Sequence, residues 1–205
     1  MFAEIEKGYD GEPSIFDNIR QTDVIMAFFP CVRFECKIPL EFRGEAFQQK
    51  SWSDERKLKY SIDLHGELHR NYVLISKLSL IALNRNLKLI IENPYTQPHY
   101  LTTYWCLKPK VIDKNRRNNG DYMKKPTQFW FVGFEPKYNI IMESIEYTEL
   151  RKHDTMQNKD GKSRTERRSE IHPQYANRFI RQYILGEDFK QEKKKQITMY
   201  DLFEM

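Results

Sequence analysis

The sequence predicts an α/β domain, a three-layer arrangement around a mainly parallel sheet. Three observations carry that prediction. Asp23-Val24-Ile25-Met26-Ala27-Phe28-Phe29 is nearly all apolar and rich in strand formers. A run without polar alternation is the pattern of a strand buried on both faces. Leu87-Lys88-Leu89-Ile90-Ile91 is a second short apolar strand. Between them, Leu58, Ile62, His65, Leu68, Tyr72, Ile75, Ser79 and Ala82 recur at helical spacing. A strand, a helix and a strand in that order form a crossover, which lays the two strands side by side and parallel.

The elements follow in chain order. Met1–Thr22 carries two glycines and a proline with little periodicity, and Ser14–Ile19 reads as one short helical turn. The first strand stops at Pro30, which cannot continue a ladder. Cys31 is thereby placed at the carboxyl end of a central strand, where open α/β sheets receive their ligands. The loop Phe34–Ser53 holds Phe34, Phe42, Phe47 and Trp52, a content that predicts packing over the body of the domain. Ser53-Asp54-Glu55-Arg56 supplies a capping residue and first-turn acids, so a helix is expected from Asp54 to Leu83, broken near Gly66. The second strand ends in Glu92-Asn93-Pro94. An aromatic, loop-like stretch with Tyr95, Tyr100, Tyr104 and Trp105 comes next, then a basic segment, Lys108–Lys125. Thr127–Gly133 reads as a strand and Ile140–Ile145 as a further one. Arg151–Arg168 is polar with charges of both signs, the pattern of an exposed loop. Ile171-His172-Pro173 opens a last helix with Tyr175, Phe179, Tyr183 and Ile184 on one face.

Composition narrows the class. The 205 residues suffice for one domain with a core, and 40% hydrophobic with 31% charged residues describes a globular chain. Apolar runs fall far short of the roughly 18 residues that span a bilayer, and no signal-peptide pattern opens the chain. Three scattered cysteines argue against a disulfide framework and for a reducing compartment, hence a cytoplasmic protein. A net charge of +5 is compatible with nucleic acid. Within the basic segment Lys108, Lys110, Lys114, Arg116, Arg117, Lys124 and Lys125 stand against two aspartates. Of these, Lys114, Arg116, Arg117, Lys124 and Lys125 are the candidate phosphate contacts. The alternative is a solvated basic loop.

Cys31 has two readings, an inert thiol or a nucleophile. Two strands ending in Pro30-Cys31-Val32-Arg33-Phe34 and in Glu92-Asn93-Pro94, in this order and about sixty residues apart, resemble the cytosine-C5 DNA methyltransferases. The short, phage-associated methylase-like proteins are the nearest in pattern. Lys124-Lys125-Pro126-Thr127 ahead of an aromatic strand and Arg168–Ala176 are similar to that family as well. The resemblance implies a partial class I methyltransferase-like, Rossmann-like fold. It implies Cys31 as the thiolate that attacks C6 of the base and Glu92 as the acid that meets N3. Pro30, Arg33, Asn93 and Pro94 would line the substrate, and S-adenosylmethionine would be the cofactor, with no metal. The target base must leave the duplex stack to reach such a pocket. His65 and His69, four apart, match no zinc motif, and Cys36 and Cys106 have no partner at metal spacing.

The pattern also departs from the family. Val32 stands where a glutamine usually follows the Pro-Cys pair. None of the eight glycines forms Gly-x-Gly, so the glycine-rich turn that receives the cofactor is missing from this chain. Residues 1–185 therefore read as a catalytic-half domain. Three readings follow: a half that needs a partner chain for S-adenosylmethionine, a degenerate DNA- or protein-binding relative, or a phage-type inhibitor of a host defence nuclease. Residues 186–205 read as a charged linker and a peptide. There Gln196, Ile197, Thr198, Met199 and Tyr200 resemble the bacterial sliding-clamp-binding motif, with Met199 and Tyr200 as groove anchors.

Overall fold

The computed structural model describes residues 13–29, 31, 33–34, 38–96, 99–141 and 170–186. Four strands form one open sheet: β1 (Val24–Phe28), β2 (Lys88–Pro94), β3 (Val111–Asp113) and β4 (Thr127–Val132), in the order β1-β2-β4-β3. The helices are α1 (Ile38–Phe42), α2 (Asp54–Asn84), α3 (Tyr100–Tyr104) and α4 (Pro173–Phe179). A π-type helix continues α4 over Ile180–Leu185.

The crossover expected between the first two strands is present. β1 pairs parallel to β2, with Val24 opposite Lys88 and Phe28 opposite Glu92. The sheet is nevertheless mixed. β4 runs antiparallel to both β2 and β3. β1, β2 and β3 thus share one direction, and the reversed β4 lies between β2 and β3. A mainly parallel ladder is therefore corrected to one parallel and two antiparallel pairings among the described strands. The central placement of β1 is corrected too: it pairs only with β2 among these strands, and Phe28 is 60% exposed. An apolar run marks what a strand can bury but does not tell a centre from an edge. The strand that does match the pattern is β4, buried at all six residues.

The period-2 alternation of the strands divides two cores. Leu89, Ile91, Trp130 and Val132 face α2, where Ile75, Ile81 and Ala82 meet them. Ile90, Phe129 and Phe131 face the other way, toward Phe179, Tyr183 and Ile184 of the last helix. The face expected for that helix is the one that packs, and His172 caps it ahead of Pro173.

Helix α2 begins where the sequence places it, with the Ser53 hydroxyl accepting from the Arg56 amide. It does not break at Gly66 but runs unbroken for 31 residues. The loop after Phe34 packs in part: Phe34 and Ile38 are fully buried, the Phe42 ring lies 4.3 Å from that of His65, and Trp52 meets Tyr60, but Phe47, expected to pack as well, is 91% exposed. At Gly133 (φ 82) an added Cβ would sit 2.5 Å from the Leu87 carbonyl, so this turn after β4 requires glycine. Ile140 and Ile141 lie outside any strand. The remainder of that expected strand, the Arg151–Arg168 loop and the 187–205 tail lie outside the described residues.

Candidate functional site

β2 carries Glu92 and Asn93 next to each other, and adjacent strand residues point to opposite faces. Both are buried, at 5% and 0% exposure. Their surroundings differ in kind.

Asn93 points to the α2 side. Its Nδ2 donates to the Phe29 carbonyl at 3.0 Å, tying the end of β1 to β2. Its Oδ1 lies 3.0 Å from His99 Nε2. His99 Nδ1 in turn lies near two donors, the Thr102 amide and the Gln128 side-chain nitrogen, at 3.4–3.5 Å, while the Thr102 hydroxyl donates to Gln128 Oε1 at 2.8 Å. Those neighbours assign the neutral ring with its proton on Nε2. Burial holds the imidazole down at a pKa of about 4. Gln128 Nε2 closes the network on the Pro94 carbonyl at 2.9 Å. Two expectations are corrected here. Asn93 and Pro94 were expected to line the substrate, but the Asn93 amide is occupied at both ends within the protein, and Pro94 ends a strand with its carbonyl accepting from Gln128. His99, Thr102 and Gln128 escaped the sequence reading because no spacing rule links residues 6, 9 and 35 positions from Asn93.

Glu92 points to the α4 side. Lys125 Nζ is 3.9 Å from its Oε1, an ion-pair distance too long for a hydrogen bond, and that oxygen has no hydrogen-bond partner. Burial pushes the Glu92 carboxyl above its ordinary range, against the pull of Lys125 and Arg116. Burial likewise pushes Lys125 below the usual lysine range, while Glu92 and Cys31 hold it up. For both partners desolvation outweighs attraction, as expected for a buried pair without further hydrogen bonds. Cys31 follows the last residue of β1, Phe28, by three positions. It is half-buried and outside any disulfide. Of the two expected catalytic residues, Glu92 stands beside Lys125, a lysine expected as a phosphate contact.

The other candidates divide. Arg33 is corrected from a substrate contact to a brace. Its Nε binds Glu67 of α2 and its Nη1 lies 3.7 Å from Glu41 of α1, which also accepts from the Tyr60 hydroxyl. Arg116 is corrected from a phosphate contact to a buried group. It is 1% exposed, paired with the equally buried Asp121, and covered by the Tyr175 ring at 4.5 Å. Asp121 and Tyr175 were not among the expected site residues. Lys110 pairs with Glu135, and Arg117 is half-buried. Lys114 and Lys124 remain exposed. Pro30 and the clamp-motif residues Gln196, Ile197, Met199 and Tyr200 lie outside the described residues.

Among the described residues no group of three His, Cys, Asp or Glu side chains is arranged to hold a metal ion, and no helix is long and apolar enough to cross a membrane. S-adenosylmethionine finds no fitting cradle there either. The positive-φ glycines follow α1, the Arg116–Asn119 turn, β4 and the last helix, and none opens a helix from a strand. No family model, no curated protein and no solved structure matches the chain.

Proposed function

We propose that the chain is a cytosine-C5 DNA methyltransferase-like protein holding the base-activating half of that chemistry. A partner chain would supply the S-adenosylmethionine half. The observation that carries this reading is Glu92: a buried carboxyl whose Oε1 has no hydrogen-bond partner, held above its ordinary pKa, beside Lys125. A carboxyl whose pKa is raised keeps its proton to a higher pH than an exposed glutamate and is the better donor. In the proposed step the Cys31 thiolate adds to C6 of a flipped cytosine and forms the S–C6 bond. The electron pair of the C5–C6 double bond shifts through C4 toward N3, and N3 takes the Glu92 proton. C5 is left electron-rich. No later step is assigned to this chain, because its described residues do not fit the cofactor.

DNA is the partner in this reading, approached through the exposed Lys114 and Lys124. The Rossmann-like assignment and the cytoplasmic location of a bacterial or phage-infected cell belong to the same proposal. Sliding-clamp binding through residues 196–200 rests on the sequence alone.

The test separates base activation from methyl transfer. Duplex DNA bearing 5-azacytosine, whose C6 accepts a thiolate, is incubated with the protein and run on a denaturing gel. A covalent adduct is expected, lost in Cys31→Ser, kept in Cys106→Ser and weakened at least tenfold in Glu92→Gln, the scale of general-acid loss. Absence of an adduct, or an adduct that survives Cys31→Ser, removes the methyltransferase reading and leaves the catalytically silent binding protein.

A further inference from the structure

We infer that the outer face of α2 pairs two copies of this chain, antiparallel, about a twofold axis at His69. The inference is independent of the proposed function. A helix packed on a domain turns an apolar face to the core and a polar face to water. α2 has a third face. Leu64, Ile75, Ser79 and Ala82 are buried on the domain side. Lys59, Asp63, Arg70 and Lys77 form an exposed charged side. Between the two, at 100° per residue, runs a stripe of Leu58, Ile62, His65, His69, Val73, Ser76 and Leu80. Leu58, Ile62 and Leu80 are 67%, 72% and 55% exposed. The intervals of 4, 3, 4, 4, 3 and 4 residues are an 11-residue repeat run twice. Such a repeat keeps the stripe nearly in line with the helix axis for about 33 Å.

The order of the stripe says what covers it. It reads alike from either end: Leu58 and Leu80 stand 11 residues from His69, Ile62 and Ser76 stand 7, His65 and Val73 stand 4. A twofold contact sets each position opposite its mirror position. Leu58 then meets Leu80 of the second copy. The protruding Ile62 meets Ser76, the smallest member of the stripe and the one that is half-buried, where its hydroxyl accepts from Trp105 Nε1 at 3.0 Å. His65 meets Val73, and His69 meets itself. On the charged flank Asp63 comes level with Lys77 of the second copy, while Lys59 is paired with Glu55 at 2.6 Å within its own chain. A different partner would need a matching stripe of its own, which a second copy has by construction. Two such stripes bury on the order of 1,200 Å², the lower end of specific interfaces.

The experiment needs neither DNA nor cofactor, so its failure is distinguishable from failure of the adduct test. Sedimentation equilibrium of the full chain at micromolar concentration is expected to give twice the chain mass. Ile62→Glu with Leu80→Glu, both on exposed side chains, is expected to keep the helical circular dichroism and to give the single mass. Single cysteines then read the register under mild oxidation, in a Cys106→Ser background because Cys106 is exposed. His69→Cys is expected to crosslink to itself. Leu58→Cys is expected to crosslink to Leu80→Cys in a mixture of the two, and neither alone. A parent of single mass overturns the inference and leaves the stripe to a different chain. A double mass that survives the two glutamates overturns it as well, since the contact would lie elsewhere. Self-crosslinking of Leu58→Cys without that of His69→Cys rules out the antiparallel twofold. If the double variant loses its fold, the crosslinks decide alone.

Discussion

Glu92 and Asn93 are neighbours on one strand, equally hidden from water, and opposite in everything else. Asn93 has a partner at each end of its amide, and those partners are themselves bonded, through His99 to Thr102 and Gln128. Glu92 has an oxygen without a hydrogen-bond partner and a cation at arm's length. A closed polar network fixes a scaffold, while an unsatisfied buried acid is costly and persists where chemistry uses it. The same strand thus supplies a rigid side and a reactive side. The rigid side holds the reactive one in place, because Asn93 ties down Phe29, two residues before Cys31.

Breaking the rigid side should cost the most. Asn93→Ala leaves the Phe29 carbonyl and His99 Nε2 without their partner in the interior. At about 1–3 kcal/mol for each stranded group, a loss of about 3 kcal/mol is expected in urea unfolding, with Cys31 alkylation faster as its turn loosens. A loss below about 1 kcal/mol would show that the network does not hold the strand ends.

The next effect is a pH window on the same side. The folded His99 ring stays neutral to a pKa of about 4, while the unfolded ring takes its proton near 6.5. The unfolded state therefore binds the extra proton between those values, and stability falls as pH drops through them, by about 3 kcal/mol at most. Glu92 has the opposite sign. Its raised pKa favours the folded state at low pH, and that contribution is lost as pH rises from the ordinary carboxylate value through the folded one. Unfolding of the parent and of His99→Gln near neutrality and near pH 4.5 separates the two. The acid loss should be present in the parent and largely absent from the variant.

How much of this was legible in the sequence follows from the range of the interactions. Ser53 capping α2, the parallel pairing of β1 with β2, and the packed face of Tyr175, Phe179, Tyr183 and Ile184 depend on local pattern and were read correctly. The reversed β4 depends on how a strand returns after the segment 95–126, which has no periodicity to read. Gly66 carries the usual helix cost, yet residues on both sides are packed, so the helix runs through it. In the basic segment Arg116 and Lys114 look alike on paper. Asp121, five residues on, buries one and leaves the other in water. Cys31 and Glu92 were singled out as candidates because strand ends and residue chemistry are visible in a sequence. Lys125 was noticed for its charge and for its place in Lys124-Lys125-Pro126-Thr127, but its burial beside Glu92 depends on the β2–β4 register.

The central claim is that Glu92 is a carboxyl kept ready to hold a proton, and its titration tests this most directly. With glutamate labelled at the side-chain carboxyl carbon, and Glu92→Gln used to assign the signal, carbon NMR follows Glu92 across the pH range. The account predicts a midpoint clearly above the ordinary value of 4.5, moving higher still in Lys125→Met as the neighbouring cation is lost. A midpoint at or below 4.5 would contradict it, because Glu92 would then be a permanently ionised partner of Lys125 with no proton to give.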